Sequence, residues 1–105
     1  MDDLQKTEHI SLLMDFYGAL LSEKQRDFLR LYNEENCTLQ EIAEEYGVSR
    51  QGVYDAVSKA QKALADYESK LGLLAEYGER KALIAELLEK HSGDAQLCAA
   101  LRKLV

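Results

Sequence analysis

Proline is absent from the 105 residues, and glycine occurs only six times. A chain so poor in both breakers has little to interrupt a helix. Cysteine occurs twice, at Cys37 and Cys98, with neither a CxxC nor a Cys/His ligand spacing. This excludes a disulfide-dense scaffold and a zinc ribbon, and two free thiols in a reducing cytosol is the plain reading. No apolar run approaches the length that spans a bilayer. The opening residues MDDLQKTEH are polar and acidic, unlike a secretory leader. A cytoplasmic protein with no membrane partner is the expectation.

Against these absences stand 47% hydrophobic and 30% charged residues, a mixture suited to a soluble folded domain. Ala, Leu, Glu, Lys and Gln are frequent, and they lose little on entering a helix. An all-α protein follows. The net charge of −6 argues against indiscriminate attraction to a polyanion. Its distribution is uneven. Residues 1–37 carry 4 Lys/Arg against 8 Asp/Glu, whereas residues 49–64 hold Arg50, Lys59 and Lys62 against Asp55 alone.

Apolar periodicity divides the chain. Ile10, Leu13, Met14, Tyr17, Leu20 and Leu21 recur at three- and four-residue steps, one face of a helix. Ser22 with Gln25 forms a capping-box signature for a second helix over 23–32, with Phe28, Leu29 and Tyr32 inward. Thr38 with Glu41 repeats the signature before a short helix over 39–46. Val57, Ala60, Leu64, Tyr67, Leu71 and Leu74 then trace a heptad seam along a long helix. Gly72 and Gly78 weaken this helix, and Gly78 is the expected end. A further helix is expected near 79–91, and a last one over 95–104 after the turn at 92–94. Two divisions are expected: a helix-turn-helix domain over 1–65, and a helical extension over 66–105 continuous with the second motif helix.

The segment TLQEIAEEYGVSRQGVYDAVSKA carries the functional signal. Two short helices that cross steeply need a small residue at their approach, supplied by Ala43. The turn needs a residue tolerant of positive φ, supplied by Gly47. Apolar residues must weld the pair, and Ile42, Tyr46, Val48, Val53 and Ala56 fall at the required spacings. The second helix would present Ser49, Arg50, Gln51, Tyr54, Asp55 and Ser58 outward. The start of such a helix is what reaches base edges in a major groove. Arg50 suits guanine or phosphate, and Gln51 suits adenine. Ser49 and Tyr54 suit phosphate donation, Ser58 belongs to the same nucleic-acid-binding set, and Lys59 and Lys62, farther along the helix, suit contacts to the nucleic-acid backbone. The same motif can instead serve as a protein-binding surface, and the acidic N-terminal third favours that alternative. The heptad seam pairs either with residues 83–88 of its own chain or with a second subunit, giving a homodimer through the 57–88 helices.

Nothing else suggests chemistry. His9 and His91 have no spaced partners, so no metal site is expected. Glu34/Glu35 and Glu44/Glu45 fit solvated faces. The tyrosines fall mostly on apolar faces and suggest core packing. No phosphate loop or nucleophile constellation is visible. No enzyme and no cofactor is expected.

The stretch EIAEEYGVSRQGVYDAV resembles region 4 of the sigma-70 class, the part that reads the −35 promoter element. A closer resemblance is to the YlxM family. It extends through DFYGALLSEKQRDFLRLYNEEN upstream and LADYESKLGLLAEYGER downstream, covering most of residues 10–90. The resemblance implies an all-α, winged-helix-like or sigma region 4-like bundle with a long C-terminal helix and a helical hairpin. Its turn would fall on Tyr46–Ser49 and its recognition helix on Arg50 to Lys59. It also implies a small bacterial protein encoded beside the genes for the signal-recognition-particle GTPase and its receptor. Its implied role is regulator or accessory of that pathway. The expected partners are DNA or structured RNA, including signal-recognition-particle RNA, and the GTPase itself. The regions with which a sigma factor melts promoters and binds polymerase are lacking, so this chain is not a sigma factor by itself. The tail beyond His91 lies outside the resemblance.

Overall fold

A computed structural model describes residues 2–105, and helices account for most of them. They are α1 (Asp3–Tyr17), a 3-10 turn (Gly18–Leu20), α2 (Glu23–Asn33), α3 (Leu39–Tyr46), α4 (Arg50–Leu71), α5 (Leu73–Lys90) and α6 (Ala95–Arg102). No strand occurs among the described residues, so the helix-turn-helix has no β wing there. No described helix is long and apolar enough to cross a membrane.

Side-chain caps start the helices where the sequence supplies them. Ser22 Oγ accepts from the Gln25 amide at 3.2 Å while Gln25 Oε1 accepts from the Ser22 amide at 3.4 Å. Thr38 and Glu41 form the same reciprocal box at 3.1 and 3.0 Å. A third box, Asp2 with Gln5, starts α1 well before the first apolar residue of its stripe. Each box satisfies two amide donors that the first turn of a helix cannot pair internally.

Two compact units result, residues 2–71 and 72–105. In the first, α4 packs against α1, α2 and α3. Tyr17, Phe28, Leu29, Ile42, Val53 and Leu64 are its most deeply buried side chains. Complete burial of each is worth about 1.5–3 kcal/mol. The Tyr17 hydroxyl donates to Glu68 Oε1 at 2.6 Å, giving a buried ring a polar outlet. In the second unit α5 packs on α6, burying Ile84, Cys98 and Leu101.

Several expectations give way. The long helix does not end at Gly78, which lies inside α5. It ends one residue before Gly72, whose φ of 64° is left-handed and breaks the helical ladder. Leu20 and Tyr32 point to solvent, and Met14 is only half-buried. On α2 the inward slot expected for Tyr32 belongs to Asn33, four residues after Leu29. Its amide nitrogen donates to the Thr7 carbonyl and to Ser11 Oγ, both at 3.1 Å. Burial without such partners would cost about 1–3 kcal/mol. Of the six tyrosines only Tyr17 is buried, so core packing explains few of them.

Candidate nucleic-acid interface

The corner between α3 and α4 is closed by backbone chemistry that few side chains permit. Gly47 takes φ 65° and ψ 35°, and its amide bonds the Ala43 carbonyl. The Val48 amide also reaches that carbonyl at 3.0 Å, the six-to-one closure typical of a helix stopped by a left-handed residue. Ile42 and Ala43 are sealed in the core, as are Val53 and Val57 one helix later. The apolar weld is narrower than the spacing suggests, because Tyr46 and Val48 are largely exposed. Tyr46 instead meets the Phe28 ring edge-on, with centroids 4.9 Å apart.

Ser49 then starts α4. Its Oγ accepts from the Gly52 amide at 2.9 Å. A Cβ on residue 52 would stand 3.0 Å from that oxygen, so Gly52 leaves the cap its room. The hydroxyl proton of Ser49 remains available to a phosphate.

Along the outer face, Arg50, Gln51, Tyr54, Asp55, Lys59 and Lys62 are exposed and Ser58 is half-buried. Gln51 is not wholly free, since its Nε2 donates to Asp55 Oδ1 at 2.9 Å. That bond uses one amide hydrogen and leaves Oε1 and the second hydrogen for a base edge. Nine residues separate Arg50 from Lys59, about two and a half turns. The two cations therefore lie on opposite flanks of the exposed arc. Lys59 and Lys62 share a shallow groove with Asp55 and Ser58. Arg50 instead borders a hollow of about 470 Å³ with Asn36, Thr38 and Leu39. The cations thus lie at two separate places along one helix and not in one stripe.

α3 presents the opposite sign. Glu41, Glu44 and Glu45 are all exposed. The backbone amide and hydroxyl of Thr38 hold the Glu41 carboxyl below the usual glutamate range. Desolvation, followed by the fields of Glu41, Glu35 and Glu45, pushes the Cys37 thiol up.

A second hollow of about 520 Å³ adjoins the first, sharing Thr7, Tyr32, Asn33 and Leu39 with it. Lys6 and Ile10 of α1 line one wall, and Tyr54, Ser58 and Gln61 of α4 line another. Of these, only Tyr54 and Ser58 belong to the set expected from sequence. No helical periodicity marks Lys6, Asn33 or Gln61, because the concavity is made by four helices and by none alone. No cluster of three or more possible metal ligands is present among the described residues.

The sequence matches, over residues 4–104, the family described as "Putative helix-turn-helix protein, YlxM / p13 like". The chain belongs to the UPF0122 family. A UPF0122 protein of Geobacillus kaustophilus is 44% identical, over 96% of this chain and 96% of its own length. The YofM protein of Lactococcus lactis is 39% identical, over 97% of this chain and 92% of its own. A UPF0122 protein of Streptococcus thermophilus is 41% identical, covering 90% and 86%. The match continues to residue 104, past the point near His91 where the motif-level resemblance stops, so α6 lies within the length the UPF0122 family shares.

Proposed function

We propose that this UPF0122 protein binds nucleic acid through the outer face of α4 and serves, without enzymatic activity, as a cytoplasmic regulator or accessory of the signal recognition particle pathway. The observation that carries this reading is Arg50. It stands at the start of α4, exposed, with no hydrogen bond or ion pair among the described residues. Ser49 beside it retains a donor, and Lys59 and Lys62 add two cations farther along. In this reading Arg50 and Gln51 meet base edges, while Ser49, Tyr54, Ser58, Lys59 and Lys62 meet phosphates. The acidic face of α3 opposes non-specific attraction to any polyanion, which raises the share of binding left to specific contacts. The expected ligand is structured RNA or DNA, with signal-recognition-particle RNA and the protein's own operon promoter as the two candidates. A homodimer through the 57–88 helices would set two such helices side by side, as paired half-sites require.

A mobility-shift titration of both nucleic acids at low salt tests this. Arg50→Ala is expected to cost about 1–3 kcal/mol of affinity. Lys59→Ala is expected to weaken all sequences alike and reduce the salt slope by about one. Wild-type binding that neither substitution alters defeats the assignment of this face. Capture of the targeting GTPase that survives nuclease, with no nucleic acid bound, replaces it with a protein-binding module. Sedimentation at increasing concentration tests the dimer.

A further inference from the structure

The hollow beside α4 has the chemistry of a base receptor, and the argument starts at Asn33. This side chain is 8% exposed, yet it lines both adjoining hollows. Its amide hydrogens are committed to the Thr7 carbonyl, which can only accept, and to Ser11 Oγ. The orientation of the amide is thereby fixed. Its Oδ1 accepts no bond from the described residues, and it is not sealed from solvent. An acceptor held in a fixed orientation, unpartnered and with solvent access, therefore sits on a residue that lines the cavity.

The surroundings fit the rest of a base. Tyr32 and Tyr54 border the cavity with 41% and 53% of their surfaces open, a wasteful exposure for two aromatic rings unless something covers them. Ser58 and Gln61 add groups that both donate and accept, and the Thr7 hydroxyl, whose hydrogen goes to the Asp3 carbonyl, can still accept. Lys6 stands on one rim and Arg50 on the neighbouring one, neither engaged in an ion pair among the described residues. Asp3 adds a carboxylate to the wall, which suits a base N–H and not a phosphate. A volume of about 520 Å³ lies within the range of about 300–1,000 Å³ found for ligand pockets.

We infer that this hollow receives one unpaired nucleobase carrying an exocyclic amine, splayed from the strand that passes the α1 side of α4. The base stacks against Tyr32, the ring that lines both hollows, its amine donates to Asn33 Oδ1, and Lys6 takes a flanking phosphate, while Arg50 and Tyr54 keep their roles on α4. The inference rests on the reading of α4 as a nucleic-acid-binding helix and deepens it. A strand with an unpaired base is favoured over a fully paired duplex.

The test uses the full chain and three short RNA hairpins: fully paired, with one bulged adenosine, and with one bulged uridine. Their affinities are read by fluorescence anisotropy. The bulged adenosine is expected to raise affinity about tenfold over the paired hairpin, the scale of one stacked base. Uridine, with a carbonyl where adenine has its amine, is expected to gain markedly less. Tyr32→Ala brings the ratio of bulged to paired affinity close to one, and Tyr32→Phe preserves it. Equal affinity for bulged and paired hairpins overturns the inference, as does a gain that survives Tyr32→Ala. If the paired hairpin is bound and Arg50→Ala weakens it, that failure belongs to the hollow alone. If no hairpin is bound, the reading of α4 as an RNA-binding helix falls and takes the hollow with it.

Discussion

The two compact units of this chain use helices of similar quality to very different ends. Residues 2–71 surround α4 on three sides and seal six large side chains almost completely. Residues 72–105 bury only Ile84, Cys98 and Leu101, while Leu83, Leu87, Leu97, Leu104 and Val105 stay exposed. That unit also falls below the roughly 40 residues at which a single core usually suffices. The difference teaches where rigidity resides. A recognition surface needs its backbone held by a packed scaffold, and here that scaffold lies wholly N-terminal to Gly72.

The largest expected effect sets one leucine against another. Leu29→Ala is expected to lose about 2–5 kcal/mol in urea unfolding, because Leu29 is completely buried. Leu83→Ala, at a position 61% exposed, is expected to stay within about 0.5 kcal/mol. Equal losses would erase the contrast between the units. Glycine gives the next test, with opposite signs. Gly47→Ala forces a side chain to φ 65° and is expected to cost about 1–2 kcal/mol, although nothing crowds the new methyl. Gly78→Ala, inside α5 and equally uncrowded, is expected to gain about 0.4–1 kcal/mol. Thermal melts of the two variants should move apart.

The cap of α3 comes third. Thr38→Ala is expected to cost about 1 kcal/mol. The Thr38 bonds hold the folded-state Glu41 carboxyl below its unfolded value. Its contribution is therefore present above the unfolded value and fades as pH falls through the folded one. Urea midpoints of wild type and Thr38→Ala, followed into acid, should draw closer without meeting, because the Thr38 hydroxyl still caps the Glu41 amide once the carboxyl is protonated. A gap that stays unchanged once Glu41 is protonated would show that the Thr38 hydroxyl contributes only through the cap.

Local signals were the legible ones. Ser22, Thr38 and Ser49 announce helix starts through bonds to amides three residues on, and Gly47 announces a stop through φ. The inward faces of α3 and the first half of α4 follow from spacing, since Ile42, Ala43, Val53, Val57, Ala60 and Leu64 are all buried. Gly72 and Gly78 were not distinguishable by type: one takes the left-handed region and the other continues a helix, a choice set by context. Tyr32 and Asn33 are a sharper case. Hydrophobicity assigns the core to the tyrosine, but two hydrogen bonds that Asn33 donates to α1, remote in sequence, let the asparagine take the slot. The Gln51–Asp55 bond is a local i,i+4 pair that the sequence reading passed over, whereas the hollow had no local signal, because it depends on how four helices meet.

The two cysteines offer the gentlest probe of the contrast between units. Cys37 is partly exposed, so access alone would let it react with iodoacetamide. Alkylation needs the thiolate, however, and desolvation together with Glu41, Glu35 and Glu45 raises this thiol's pKa. At a given mildly alkaline pH it should therefore react more slowly than a free thiol. Glu41→Gln, which preserves the capping-box geometry, should speed it modestly. Cys98 is buried and its thiol donates to the His91 carbonyl at 3.3 Å. Its modification must await an opening of α6, so its rate should report the stability of that unit and climb in low urea, while Cys37 barely changes. Mass spectrometry of the alkylated peptides separates the two. If Cys98 stays protected up to the global unfolding midpoint, the small second unit is as firmly held as the first.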